Sequence, residues 1–512
     1  MAYLCSNNLI KYIVLFMEIG QNNKSKMIGQ VFTPQFIVDE MLDYCGYVGE
    51  SIIGKHVIDN SCGDGAFLKA VVKRYCNECV KAGRSTDDLK SDLQLYIHGI
   101  DTDTLAYNNC IANLNEITAE YGVFDVRWDL YNQSSLAMHK FDGKMDFVVG
   151  NPPYVRVHNL DDSYDEVKQY KFANGGMTDL YLAFFELGFN MLSPTGVLCY
   201  ITPSSWLNSV AAENMRKYII QKKNLVSLTD LGHFQAFENA TTYTLISLFS
   251  NLKSDKHFDY FTFDGETHKR KFVDNLSLDD CYIDSYFYLS DTPHLKTLKE
   301  IKTKLSKKFV EVKNGFATLA DKVFIGKDIP ASKFTIRTLK ASTGKWYNCL
   351  FPYDERGKLI ARDILFSDPV VANHFETHKE ELLKGKPEYP NYYEFGRTQA
   401  LLDVWKDKIA INTLIRTEKD LKIEVVKAGE GLYSGLYIIN NKDVDVPLAD
   451  IKEILMSSDF ANYISLLKKY KSGGYYTFNT KDVQQYLNYY LTFKTNRSYD
   501  KSRFFGQDFG VL

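Results

Sequence analysis

Along residues 55–150, short continuous apolar runs alternate with stretches in which apolar positions recur every three to four residues. Val57-Ile58, Leu95–Asp101, Val123–Leu130 and Asp146–Gly150 have the length and continuity of buried strands. Between them, Ala66 onward through Leu68, Val71 and Val72, and then residues 104–121, carry helical periodicity. This alternation predicts an α/β fold with a parallel, doubly wound sheet and a ligand across the carboxyl ends of its strands. Further on, Asp179–Leu192 reads as a core-facing helix, and Gly196–Ile201, Leu225–Leu231 and Tyr243–Phe249 as strands. Thr202-Pro-Ser-Ser-Trp206 reads as the opening of another helix.

The polar residues that break this pattern carry the candidate chemistry. Thr33-Pro34 precedes a helix through Phe36, Ile37, Met41 and Leu42, which predicts Thr33 as N-cap and Pro34 as the first helical residue. The turn Asn60–Gly65 joins strand to helix as in a nucleotide-binding unit, yet it is not GxGxxG, and no GxxxxGK[ST] occurs. Gly63 and Gly65 let a ligand approach the backbone, while Asp59 and Asp64 suit an amine and repel a pyrophosphate. A cationic or zwitterionic ligand such as S-adenosylmethionine fits that turn better than a dinucleotide. Asp101, at the expected end of the second strand, is placed to accept from ribose hydroxyls. Asp129, near the expected end Leu130 of the third strand, is placed to accept from the N6 amine of a bound adenosine. The fourth strand runs into Asn151-Pro152-Pro153-Tyr154: an amide acceptor, a backbone carbonyl, a stiffened turn and a flat ring. Two converging acceptors beside an aromatic plate suit an exocyclic amino group on a planar substrate. The plainer readings are a rigid surface turn, a strand-ending Asp and a well-capped helix.

Size and charge narrow the class. The 512 residues allow two or three domains with substantial cores. No run approaches the roughly 18 apolar residues of a membrane span, and Leu9–Phe16, interrupted by Lys11, reads as a helix docking on the body. Nine cysteines are scattered, and the lone pair Cys76/Cys79 has no second pair for zinc, so no metal is expected and the compartment reads as reducing and cytoplasmic. Net charge is −3, but residues 1–250 hold 20 Lys+Arg against 28 Asp+Glu, and the remainder 41 against 36. The more basic second half is the candidate polyanion binder.

Taken together, these residues resemble the gamma-class adenine-N6 DNA methyltransferases of the TaqI type. The resemblance rests on order: Phe32-Thr33-Pro34, then Asp59-Asn-Ser-Cys-Gly-Asp-Gly65, then Asn151-Pro-Pro-Tyr154, with a large extra domain last. It covers residues 27–250 by motif and the rest loosely, and Ser61-Cys62 departs from the usual small residue of the glycine turn. The resemblance implies a Rossmann-like domain dependent on S-adenosylmethionine, followed by a mixed α+β target-recognition domain. Thr33, Asp59, Gly63 and Asp64 would surround the methionine part of the cofactor, Asp101 would hold its ribose, Asp129 and Leu130 would meet its adenine, and Phe32, Pro34, Ser61, Gly65 and Asn151 would also contact it. Asn151 and the Pro152 carbonyl would bind the target amine. Tyr154 would stack on one face of a flipped-out base, and Phe237, twelve residues before Phe249, on the other.

The corresponding division is an N-terminal helical extension (1–26), a catalytic domain (27–253), a connector with short strands (254–300) and a target-recognition domain (301–512). In the last, Arg397, Thr398, Gln399, Arg416 and Lys471 are candidates for base-edge or phosphate contacts. The expected partner is double-stranded DNA, bound by a monomer or homodimer. Only about 26 residues precede the first motif, so any cognate restriction endonuclease is expected to be a separate protein. An RNA or protein-glutamine methyltransferase, and a non-catalytic DNA-specificity subunit, are the alternatives.

Overall fold

The computed structural model describes residues 33–157, 164–175, 178–237, 242–384, 391–442 and 444–496. The extension 1–26 and Phe32 lie outside the described residues. The chain divides into two compact units, Met1–Leu295 and Lys296–Leu512.

The first unit is built on one nine-stranded sheet. Its strands are β1 (Val57–Asp59), β2 (Ile97–Asp101), β3 (Asp129–Asn132), β4 (Met145–Gly150), β5 (Leu192–Pro203), β6 (Leu225–Asp230), β7 (Thr244–Ser250), β8 (His257–Asp264) and β9 (Lys269–Ser277), in the order β3-β2-β1-β4-β5-β7-β6-β8-β9. Strands β3, β2, β1, β4 and β5 pair in parallel, and β7 enters antiparallel between β5 and β6. Every residue of β1 and the first four of β2 are buried, as expected of a parallel sheet covered on both faces. The intervening helices are α1 (Gln35–Tyr44), α2 (Ala66–Lys81), α3 (Thr86–Tyr96), α4 (Thr104–Ala119), α5 (Tyr164–Lys168), α6 (Tyr181–Met191) and α7 (Glu213–Lys222). Helices α2 and α4 pack on each other, and α6 on β4 and β5. This is the doubly wound, Rossmann-like α/β architecture expected. Cys76 and Cys79 are buried core residues of α2.

Three expectations need correction. First, the third strand is Asp129–Asn132, not Val123–Leu130, because Val123 and Val126 bury their side chains in the core from irregular backbone. Second, residues 254–300 are not a connector: β8 pairs in parallel with β6, Ser227 opposite Asp259, and β9 pairs with β8, so both strands widen the sheet. Third, α1 begins at Gln35 with Pro34 as its N-cap and no side-chain cap, so Thr33 does not cap it.

The second unit is mixed α+β. One four-stranded sheet comprises Val310–Asn314, Leu436–Asn440, Lys408–Ile411 and Ile423–Val426, and another Ile325–Gly326, Lys345–Leu350, Thr335–Lys340 and Gly431–Tyr433. A small three-stranded sheet joins Leu414–Ile415, Tyr475–Thr477 and Tyr470–Lys471. Inside this unit the Lys302 ammonium reaches Asp482 at 3.1 Å and Gln485 at 2.9 Å, with Lys302 and Asp482 side chains each 3% exposed. Among the described residues no helix is long and apolar enough to cross a membrane.

Candidate active site

The site forms where β1 and β4, neighbours in the sheet, end side by side. Asp59, at the end of β1, is 1% exposed and accepts from the Ser61 amide at 3.0 Å. A Cβ on Gly150, at the end of β4, would stand 2.7 Å from Asp59 Oδ1, so glycine there makes room for the carboxyl. Gly65 is similarly demanded: its φ is +90°, and a Cβ would meet Cys110 Sγ at 2.8 Å. Gly63, at φ +52°, would meet nothing within 4 Å and faces open space, as a ligand-cradling turn requires.

Burial pushes the Asp59 carboxyl up to about 8, helped by the nearby Asp101 and opposed by the Ser61 N–H. Asp101, at the end of β2, is also raised by burial, although it accepts from Gly63 at 2.8 Å and from Asp103 at 2.8 Å. Two carboxyls held above their ordinary range on one turn suit a ligand that brings positive charge and hydroxyl donors. Asp64 is half-buried, and its backbone carbonyl accepts from Asn113 at 2.8 Å.

Across from this turn, Asn151 donates from Nδ2 to Thr33 Oγ1 at 3.1 Å. The Thr33 hydroxyl therefore orients the Asn151 amide instead of closing the helix, and the amide oxygen is left facing the other way. Ser61 Oγ lies 3.5 Å from the Asn151 carbonyl, tying the glycine turn to the Asn-Pro-Pro-Tyr turn. Tyr154 donates to the Ile201 carbonyl at 3.1 Å, which anchors its phenol, and burial raises that phenol well above its usual value. Phe237 is 2% exposed and stands against Tyr154, ring centroids 6.1 Å apart and planes at 64°. The two rings are brought together as the resemblance implies, but edge to face. A base sandwiched between them needs near-parallel rings roughly 7 Å apart, so Phe237 must turn if the anchored Tyr154 stays.

Asp129 and Leu130 are not at this site. The register places Asp129 opposite His98, near the start of β2, and Asn132 opposite Asp101 at its end. Asp129 thus sits at the amino edge of the sheet, held by His98 Nδ1 at 2.8 Å, Lys140 at 2.6 Å and Tyr131 at 2.6 Å. The carboxyl edge of β3 instead carries Asn132, with Oδ1 accepting from Thr104 and Nδ2 donating to the Asp101 carbonyl. Reading β3 as starting six residues too early shifted the candidate acid to the wrong end.

In the second unit, Arg397, Thr398 and Gln399 are exposed beside a paired loop, Gly396 and Arg397 donating to the Thr318 and Ala317 carbonyls at 3.0 Å each. Arg416 lies over the Tyr475 ring at 4.7 Å, and Lys471 is exposed on the adjoining strand of the same small sheet. The five candidates therefore fall into two groups rather than one. Tyr392 and Tyr393 are buried core.

Comparison with known proteins places this chain among similar sequences and folds. Residues 71–237 match the family model described as Eco57I restriction-modification methylase. Over those residues the chain is similar to restriction–modification methylases. It is similar to the type II methyltransferase M.BstVI of Geobacillus stearothermophilus, 27% identical over 411 residues that cover 70% of this chain and 72% of the relative. It is also similar to the type II restriction enzyme and methyltransferase RM.Eco57I of Escherichia coli, 26% identical over 426 residues, 70% of this chain and 41% of that one. M.PaeR7I of Pseudomonas aeruginosa is 27% identical over 234 residues, 43% of this chain and 40% of the relative. The chain thus spans most of M.BstVI but about two fifths of the other two. Among solved structures, the type IIL restriction–modification enzyme MmeI in complex with DNA superposes with a TM-score of 0.57 at 14% identity, covering 92% of this chain and 65% of MmeI. That likeness is one of fold.

Proposed function

We propose that this protein is a site-specific DNA adenine-N6 methyltransferase that uses S-adenosylmethionine and serves as the modification enzyme of a restriction–modification system. The observation that carries the reading is the Asn151 amide, fixed by Thr33 at the end of β4 and next to the anchored Tyr154 ring.

The residues of the turn fit the cofactor. Asp59 is a buried carboxyl whose ionisation a cationic ligand would restore, and Gly63 leaves the turn open to a ligand. Asp59, Ser61, Gly63 and Asp64 would hold the methionine part, and the free lone pairs of Asp101 the ribose hydroxyls. When bound, the cofactor supplies an electrophilic methyl group. The chain supplies the rest. An exocyclic adenine nitrogen is a weak nucleophile, because its lone pair is delocalised into the ring. Acceptance of its two N–H bonds by Asn151 Oδ1 and the Pro152 carbonyl draws that nitrogen toward tetrahedral geometry and localises the pair for in-line attack. Positioning and charge stabilisation carry the transfer without a general base: the neutral thioether would be the leaving group, and the methylated nitrogen, cationic at that point, would release one N–H proton to water. Flipping the base out of a duplex costs roughly a few kcal/mol, which stacking between Tyr154 and a rotated Phe237 offsets.

In the second unit, Arg397–Gln399 and the Arg416/Lys471 sheet are the DNA-reading candidates, acting on double-stranded DNA. Asn151→Ala is expected to abolish methyl transfer to duplex DNA while cofactor affinity, read by calorimetry, stays within about three-fold. Turnover near that of the parent protein would overturn the assignment.

A further inference from the structure

The displacement of Asp129 to the far edge of the sheet leaves the carboxyl end of β3 without an acid of its own. From Tyr131 through Met138 the chain reads Tyr-Asn-Gln-Ser-Ser-Leu-Ala-Met. The polar atoms of Asn132 are engaged with Thr104 and the Asp101 carbonyl. The chain then crosses the top of the sheet, where Ser135 donates to the Asn60 carbonyl at 2.5 Å and so sits against the glycine turn. A carboxylate nevertheless reaches this place. Residues 164–170 lie against the exit of β3, with Tyr170 donating to the Leu136 carbonyl at 2.8 Å and Val167 fully buried. Between these anchors and β3, the Glu166 carboxylate accepts from Ser134 Oγ at 2.7 Å.

We propose that Glu166, carried over the end of β3 by α5, is the carboxylate that accepts from the exocyclic amine of the cofactor's adenine. The inference rests on the S-adenosylmethionine reading above. Two buried contacts just after Glu166, at Val167 and Tyr170, hold the backbone, and the Ser134 hydroxyl occupies one acceptor position of a carboxylate that has about four. A second oxygen remains for an amine donor entering between β3 and the glycine turn.

The test compares two ligands on the full chain by calorimetry: S-adenosylhomocysteine and its 6-oxo counterpart, S-inosylhomocysteine, which presents a carbonyl where the amine was. A carboxylate favours the amine and repels the carbonyl, so the parent protein is expected to prefer S-adenosylhomocysteine by about ten-fold or more. In Glu166→Ala that preference is expected to fall to within about three-fold. In Glu166→Gln, whose amide donates as well as accepts, the inosine ligand is expected to gain affinity. Ser134→Ala, which leaves the carboxylate in place but loosens it, is expected to give an intermediate ratio. Should Glu166→Ala unfold, the Gln variant, isosteric and uncharged, carries the test alone. A ratio unchanged from the parent in the variants would overturn the role of Glu166. Failure of the parent protein to bind S-adenosylhomocysteine would overturn the cofactor reading instead.

Discussion

If Asp59 holds the cofactor as proposed, its buried carboxyl makes cofactor affinity a function of pH. Burial raises it to about 8 in the ligand-free protein, so at pH 6 only about 1% is ionised and at pH 8 about half. A ligand that pairs with the carboxylate binds the ionised form, and its apparent affinity scales with that fraction. From pH 6 to pH 8 the gain is about 50-fold, roughly 2.3 kcal/mol, and it flattens above pH 8. The ligand's own amine titrates nearby, so the quantity to measure is the ratio of parent to Asp59→Asn affinities for S-adenosylhomocysteine across pH 6–9. The amine cancels in that ratio, and Asn cannot ionise. Calorimetry in buffers of different ionisation enthalpy should also show about one proton released on binding near pH 6.5. Stability of the ligand-free protein moves the other way. A carboxyl raised in the folded state binds more protons folded than unfolded, so its contribution is present below pH 4 and is lost as pH rises toward about 8. Asp59→Asn should therefore unfold at higher denaturant than the parent at pH 8, and the gap should narrow by pH 5 and close only below pH 4. A parent-to-variant affinity ratio that does not change with pH would refute the reasoning.

Three further perturbations follow from the same geometry. The chain His56 Nδ1–His98 Nε2 (2.9 Å) and His98 Nδ1–Asp129 (2.8 Å) needs His98 to donate to the carboxylate and accept from His56. His56 is lowered by burial and by His98, and Asp129 is lowered by its bonds to His98, Lys140 and Tyr131 against the effect of burial. Both groups gain protons on unfolding, so stability should fall as pH drops below about 6.5 and again through the carboxylate range; denaturant midpoints at pH 7, 5.5 and 4 measure it, and Asp129→Asn should remove the lower step. Gly150→Ala would place a Cβ 2.7 Å from Asp59 Oδ1; a loss of about 1–3 kcal/mol in stability and weaker cofactor binding are expected, and an unchanged midpoint would contradict the packing. Thr33→Ala frees the Asn151 amide, which should lower kcat about ten-fold while cofactor affinity is preserved, with Thr33→Ser restoring most of the rate.

How much was legible in the sequence differs along the chain for identifiable reasons. Strands β1, β2 and β4 are short apolar runs buried on both faces, and their expected positions lie within two residues of the structure at each end. Helix α4 carries an Asp103 N-cap, and its expected span differs by two residues at one end. Strand β3 misled because Val123 and Val126 are apolar for the sake of the core, not of a strand. Strands β8 and β9 hid because membership of a sheet is a long-range property: Phe258 and Tyr260 alternate inward, but nothing local says that their partner is β6. The glycine and Asn-Pro-Pro-Tyr turns could be read because each residue type there has a backbone or hydrogen-bonding reason. The Thr33–Asn151 bond spans 118 positions and Ser134–Glu166 spans 32, and no local pattern marks either. In the second unit, exposed residues such as Arg397 and Arg416 look alike in sequence, and only the fold separates them into two groups.

The most direct test of the central claim is to express the chain in a bacterial host that lacks DNA methylation and to map modified bases across the host genome. The account predicts N6-methyladenine confined to one short recognition sequence, and none when Asn151→Ala is expressed instead. Soluble protein that binds S-adenosylhomocysteine yet leaves every adenine of the genome unmodified would contradict it.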